Sequence, residues 1–489
     1  MKSIFISSIL LLLSFCVIAQ NAESITIGKK EIIASNILKE NRNIWIYTPN
    51  ITSPIPNPDK RYPVLYLLDG DAHFYSTVGI IQQLSQANGN GVLPEMIVVA
   101  IENTNRFRDL LPSADLNKPN PFVAFLSSEL IPYIDKNYNA APYKLLVGHS
   151  LGGLTAIDLL TNHSELFNAY IAIDPSMWYE NEMFLNQAVN QFPKKNLDGK
   201  KLFIATANTM PKGMTVEKLT TDTSYETQHI RSIFKFDKFL KTNTNGLLYQ
   251  QKYYENERHN SSPLLGEYDG LRFIFDYFYF DATEKDFGDT SDVMAVKLKT
   301  HYANVSEKMG YKNTAPETLI NYLAYDALGK KNFNKAKAFF ELNIEWYPNS
   351  NNVYDSYAEY YLAKNDTVNA ITNYKKALQI KANDITQRKL DALTQPPASN
   401  SAIIDVKKYA GIYTLVDFQL DIKLEVRNGT LWSIVPGQPD GEFQAISENI
   451  FTVKDAQGYT ITFEMNGGKP KGFTSVQPNG TFKAIYKNK

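Results

Sequence analysis

From residue 24 to about residue 282, short apolar runs alternate with stretches whose apolar positions recur at helical spacing. Tyr62–Leu68, Met96–Ile101, Tyr143–Val147, Ala169–Ile173, Lys201–Ala205 and Leu247–Tyr254 have the length and side chains of strands. Between them, Phe122–Asp135, Leu151–Thr161 and Ser224–Lys241 carry apolar residues three and four apart, the spacing of one helix face. Strands alternating with helices predict a mostly parallel sheet covered on both faces. Residues 24–49 come first and alternate with period two, as in Ile44-Trp45-Ile46-Tyr47. They predict an antiparallel hairpin at the sheet edge.

The pattern changes twice. Over residues 292–394 the strand signal gives way to helical spacing with a repeat. Asn334-Lys335-Ala336 recurs as Val368-Asn369-Ala370, 34 residues later. At that offset Ala324 pairs with Ala358, Gly329 with Ala363, Phe340 with Tyr374 and Pro348 with Ala382. A helix–turn–helix unit of this period is the tetratricopeptide repeat. Such units need neighbours to bury their faces, and Val293–Met309 is expected to supply a cap. The polar, proline-bearing Thr394–Ser401 then reads as a linker. Residues 402–489 hold short strands such as Leu420–Val426, Thr430–Val435 and Thr460–Glu464, separated by Asn428-Gly429, Asp440-Gly441, Asn466-Gly467 and Asn479-Gly480. These are hairpin turns, and they predict a small all-β barrel or sandwich.

Composition narrows the function classes. The 489 residues are too many for one core. Fifty Lys and Arg against 51 Asp and Glu leave a net charge of -1, which argues against nucleic acid as a partner. The 30 Tyr and 27 Phe are expected mostly in cores. Met1-Lys2, the apolar run Ile4–Ile18 and Ala19-Gln20 form a secretory signal peptide, residues 1–19. It is short for a membrane span, so a periplasmic or secreted protein is expected. The sole cysteine, Cys16, lies inside it. Bulky Phe15 before Cys16 disfavours a lipoprotein anchor. The mature chain then has no cysteine for disulfides, catalysis or thiolate metal sites.

The chemistry centres on Gly148-His149-Ser150-Leu151-Gly152, which follows the apolar run Tyr143–Val147 and precedes a helical stretch. Strand, tight turn with serine between glycines, then helix is the nucleophile elbow of the α/β-hydrolase fold. Serine needs a base, and in this fold the histidine follows the last core strand. Of the six histidines, His73 precedes the serine, His149 sits in the elbow facing away, and His163 ends the following helix. His229 falls in an amphipathic helix and His301 beyond the sheet region. His259, after Leu247–Tyr254, remains as general base. A carboxylate is expected after the strand that precedes the histidine strand, but Ala205-Thr206-Ala207-Asn208-Thr209-Met210 offers only Asn208. Glu257 is the first choice, with Glu255, Asp222, or a dyad oriented by Asn208 or a backbone carbonyl as alternatives. The Leu151 N–H is expected to bind the oxyanion. Asp71 N–H is expected as the second donor, in a loop that Gly70 lets turn inward. Asp69 and Asp71 are not read as metal ligands, since no second ligand cluster accompanies them.

These residues resemble the esterase family that includes esterase D and the trilactone esterases of enterobactin-type siderophores. The likeness covers residues 24–282. It rests on Val64-Leu65-Tyr66-Leu67-Leu68-Asp69-Gly70, Ile101-Glu102-Asn103-Thr104-Asn105-Arg106-Phe107-Arg108-Asp109, the elbow, Asp174-Pro175-Ser176-Met177-Trp178, and His259-Asn260-Ser261-Ser262-Pro263. It implies a Ser–His hydrolase of carboxylic esters or thioesters without metal or cofactor, with Trp178 and Arg106 lining or bracing the substrate cleft. The chain departs from the family at Asn260, where glycine is common, and in having no carboxylate near Asn208. The helical region resembles the tetratricopeptide tail of some bacterial esterases of this family. Tyr409-Ala410-Gly411-Ile412-Tyr413 and Gly437-Gln438-Pro439 resemble the small β domain after some penicillin-recognising serine hydrolases.

The expected protein is therefore an exported serine esterase. Its segments are a signal peptide at 1–19, an α/β-hydrolase domain at 24–282, tetratricopeptide-like repeats at 292–394 and a small β domain at 402–489. Its partners are a small-molecule or glycan ester and, through the repeats, a protein. Acyl transfer to a glycan or lipid hydroxyl by the same residues is the first alternative. A repeat-based binding or scaffold protein with a vestigial hydrolase is the second.

Overall fold

The computed structural model describes residues 25–49, 60–85, 91–113, 120–394, 404–454, 456–477 and 480–487. The expected signal peptide, Cys16 and the residues of the expected linker after Thr394 lie outside the described residues.

Eight strands form one sheet: β1 (Lys29–Ser35), β2 (Glu40–Tyr47), β3 (Tyr62–Leu67), β4 (Ile97–Ile101), β5 (Ala140–His149), β6 (Ala169–Ile173), β7 (Lys201–Ala207) and β8 (Leu248–Tyr254). Their order is β1-β2-β4-β3-β5-β6-β7-β8. β1 and β2 pair antiparallel, and β2 runs antiparallel to β4. All later neighbours are parallel. Every residue of β3, β4, β6 and β7 is buried, because helices cover both faces and leave no polar side to alternate with.

One face is filled by the elbow helix Leu151–Asn162 through Leu154, Ile157 and Leu160, and by helix Gln228–Leu240 through Ile233, Phe236 and Leu240. Phe122–Asp135 also covers this face. It is helical from Pro121 to Asn137 with one wide turn at Leu126–Leu130. The other face is filled by helix Gly70–Ser85 through Phe74, Val78 and Ile81, and by helix Ser262–Ile274 through Leu271 and Ile274.

Register decides where the chemistry sits. Leu67 lies opposite Val147, His149 opposite Ile173, and Ile173 opposite Ala205. The residues just past β3, β5 and β6 therefore meet along one edge of the sheet. Three of them, Asp69, Ser150 and Asp174, have left-handed backbones, with φ of 52°, 59° and 41°. Non-glycine residues take that conformation at a cost of roughly 1–3 kcal/mol each, and such strain gathers at functional sites.

Helix Val293–Met309 links this unit to the helical region. Val305 and Met309 enter the sheet core, whereas Met294 and Leu298 enter the next one. Helices Glu317–Gly329, Phe333–Trp346, Asn351–Ala363, Thr367–Ile380 and Asp384–Thr394 follow. The small residues matched at the 34-residue offset, Ala324 with Ala358 and Ala336 with Ala370, are all fully buried, where a larger side chain would hold neighbouring helices apart.

The last eight strands are β9 (Gly411–Leu415), β10 (Leu420–Arg427), β11 (Thr430–Ile434), β12 (Gly441–Ser447), β13 (Ile450–Val453), β14 (Ala456–Asn466), β15 (Lys469–Gln477) and β16 (Gly480–Tyr486). Each pairs antiparallel with the next, and β16 returns to β9 to close a barrel. Tyr409, Tyr413, Phe451, Phe463 and Phe473 fill it. Closure leaves no edge open to other chains. Strand β14 approaches helices Glu317–Gly329 and Asn351–Ala363.

Candidate active site

The elbow is built by steric demand. A Cβ on Gly148 would fall 2.2 Å from the Gly152 carbonyl oxygen, so the strand can turn into the helix only with glycine there. Ser150 N–H donates to Ile173 O at 2.9 Å, and Ser176 N–H donates to Ser150 O at 3.0 Å. The turn is thereby stitched to the segment after β6. The Ser150 and Ser176 hydroxyl oxygens lie 3.1 Å apart.

His259 sits where the sequence places it, in the loop between β8 and helix Ser262–Ile274, and lines one cleft with Ser150. Its carboxylate partner is not Glu257. His259 Nδ1–H donates to Asp174 Oδ2 at 2.6 Å. Asp174 follows β6, one strand earlier in the chain than the β7 end that carries Asn208. Glu257 and Glu255 meet the β7 end through their backbones instead. Asn208 N–H donates to Glu257 O at 2.7 Å, and Asn208 Nδ2 to Glu255 O at 2.9 Å. Asp222 accepts from the Ser224 hydroxyl at 2.7 Å and from the Thr227 hydroxyl, at the start of the helix that bears His229. The sequence signal for Asp174 was present in Asp174-Pro175-Ser176-Met177-Trp178, an acid directly after a strand that neighbours the elbow strand.

Asp174 is fully buried and accepts three hydrogen bonds. Besides His259, Ala207 N–H reaches Oδ1 at 2.9 Å and His229 Nε2–H reaches Oδ2 at 2.8 Å. Burial pushes the carboxyl up, but the bonds from His229 and His259 outweigh it and hold it at about 2. It is therefore an anion at neutral pH, and the nitrogens that face it carry protons.

His149 does not face away from the site. Its ring lies 4.5 Å from that of His259, centre to centre, and its Nε2–H donates to His259 O at 2.9 Å. Burial, then the neighbouring His259 and His73, lower His149 to about 4. It is thus a neutral strut between the elbow and the base loop. His73 packs edge-on against it at 5.7 Å, and burial lowers His73 as well.

The cleft holds about 460 Å³ and is lined by Asp69, Ala72, His73, Arg106, His149, Ser150, His259 and Asn260. Arg106 grips Asp69 with both arms, Nε to Oδ1 at 2.6 Å and Nη2 to Oδ2 at 2.9 Å, and also reaches His149 O at 3.2 Å. It braces the elbow as well as lining the cleft. Trp178 lies two residues past Ser176 and packs edge-on against Tyr179 and Tyr225.

Leu151 opens the elbow helix, so its N–H has no carbonyl one turn back and is free for an anion. Gly70 does not turn a loop inward; it begins helix Gly70–Ser85. It is glycine because a Cβ would strike the backbone of Ala100 and Ile101 at 2.6 Å. Asp71 stands in the first turn of that helix with an exposed side chain.

Among the described residues, Asp174, His229 and His259 form a group whose ligand atoms lie within 4.8 Å of one another. The separations of 2.6 and 2.8 Å between nitrogen and Oδ2 are those of hydrogen bonds.

Residues 35–230 match the family model described as "Putative esterase". The matched segment runs from the end of β1 into helix Gln228–Leu240 and so holds most of the α/β part of the chain. The ferri-bacillibactin esterase BesA of Bacillus subtilis (strain 168) is 29% identical over 202 residues, 36% of this chain and 68% of that protein. The apo-salmochelin esterase of Escherichia coli O6:H1 is 28% identical over 157 residues, 27% of this chain and 46% of that protein. An IroE-like serine hydrolase from Shewanella oneidensis has a crystal structure with 29% identity and a TM-score of 0.54. That likeness covers 65% of this chain and 99% of the other. The chain thus spans about half to two thirds of the length of these two curated relatives. No helix among the described residues is long and apolar enough to cross a membrane.

Proposed function

We propose that the protein is an exported serine esterase working through Ser150, His259 and Asp174. The observation that carries this reading is the shared cleft of Ser150 and His259, with Asp174 hydrogen-bonded behind the imidazole. Ser150 Oγ bonds to the ester carbonyl carbon as its proton passes to His259 Nε2. The carbonyl electron pair moves onto oxygen, where the Leu151 N–H stabilises it, with the Asp71 N–H as second donor. Collapse expels the alcohol, which takes the proton from Nε2. Water then repeats the sequence on the acyl-enzyme, delivering its proton to His259 and releasing the acid and Ser150. Asp174 holds the Nδ1 proton in place, so that Nε2 is the lone pair facing the serine.

The names of the relatives support ester-linked siderophores as a substrate class. Residues 1–19 support export by a cleaved leader. The 34-residue spacing supports tetratricopeptide-like repeats over 292–394, and these offer a surface for a protein partner. The test is covalent labelling with an activated fluorophosphonate. Wild type is labelled with release of fluoride, and Ser150→Ala is not. Equal labelling of both would end the reading. Amino-terminal sequencing of the protein recovered outside the cytoplasm tests the leader and should begin near residue 20.

A further inference from the structure

We infer that His229 is a positioning residue for the reaction, a second imidazole that locks the Asp174 carboxylate against His259. This rests on the proposed roles of Ser150, His259 and Asp174.

Asp174 Oδ2 receives two imidazole donors, His259 Nδ1–H at 2.6 Å and His229 Nε2–H at 2.8 Å. The two rings are 5.2 Å apart and cross at 88°, so both reach one oxygen without stacking. Ala207 N–H holds the other oxygen at 2.9 Å. A carboxylate with one donor on each oxygen can still tilt. A further donor from a different direction fixes the plane in which the His259 proton must lie. Asp174 is fully buried, so its donors are these protein groups.

The element that carries His229 is built to hold it. His229 is the second residue of helix Gln228–Leu240. Ile230 and Ile233, on the same helix, are fully buried. The approach to the helix is tied by Arg231, whose Nε donates to Thr227 Oγ1 at 2.8 Å and whose Nη2 donates to Ser224 O at 2.6 Å. Lys235 pairs with Glu182 at 2.6 Å, in the left-handed stretch Glu180–Glu182 that follows Trp178. A histidine serving only to fill space would need none of this direction. The Nε2 proton is aimed at the one carboxylate that also binds the base.

The test uses the full chain with its histidines labelled with ¹⁵N, and the variants H229F, H229Q and D174N. In proton spectra, wild type should show two low-field imidazole N–H signals from the donors to Asp174, besides those of the carbonyl-bound His149 and His301. H229F should lose one and move the other further downfield, because His259 no longer shares Oδ2. D174N should lose both. With p-nitrophenyl acetate, H229F should lower kcat about tenfold at unchanged KM, and H229Q, which keeps a donor, should recover most of it. Retention of both signals in H229F would overturn the inference. So would an unmoved His259 signal together with wild-type kcat. If Ser150→Ala still turns over the ester, the serine mechanism fails, and the spectra decide the role of His229 on their own.

Discussion

His259 Nδ1 stands 2.6 Å from Asp174 Oδ2, across 85 residues of chain. An imidazole held this way presents the tautomer that a serine nucleophile needs. Replacing Asp174 with asparagine reverses the hydrogen-bond preference at that oxygen. D174N should lower kcat by about 10³–10⁴-fold, read with p-nitrophenyl acetate. E257Q should cost little, since Glu257 meets its neighbours through its backbone carbonyl.

His149 gives the site a pH dependence. Its lowered value of about 4 in the folded protein, set by burial and then by His259 and His73, lies below the ordinary 6.5. Between these values the unfolded chain binds the proton and the folded chain does not. Stability from this group is therefore full above about pH 6.5 and falls as the pH drops towards 4. Thermal unfolding followed from pH 7 to pH 4 should show this decline, and H149Q should flatten it.

The elbow tolerates no side chain at its first glycine. With a Cβ 2.2 Å from the Gly152 oxygen, Gly148→Ala must push strand and helix apart. The expected loss is about 3 kcal/mol or more, measured by urea unfolding of the α/β part. The fluorophosphonate rate should fall with it, because Ser150 moves.

Arg42 and Asp109 form a fully buried pair at 2.5 Å, and Arg108 closes on the other Asp109 oxygen at 2.7 Å. Asn120 Nδ2 donates to the carbonyls of Arg108, Asp109 and Leu111. The network fixes the segment that begins with the cleft residue Arg106. D109N leaves Arg42 with Glu40, at 2.9 Å, as its remaining counter-charge and should cost about 1.5–3 kcal/mol. Urea unfolding checks it, and the labelling rate should drop in step as Arg106 loses its anchor.

The sequence alone determined the elements and pointed to two side chains, Ser150 and His259, that share one cleft. Strand positions were legible because a sheet covered on both faces demands unbroken apolar runs, as in Tyr62–Leu67 and Ala169–Ile173. Ser150 was legible because the turn that exposes it admits only glycine at Gly148, a constraint written in neighbouring residues. His259 was legible because it alone of the six histidines lies in the loop directly after the last strand of the sheet. Only the tertiary structure decided which carboxylate serves it and what the other histidines do. Strand order places β6 between β5 and β7, so the end of β6 meets both the elbow and the base loop. Proximity in the chain favours Glu257, but a hydrogen bond depends on distance in space, and the parallel register brings Asp174, His229 and His149 to His259 from three separate elements.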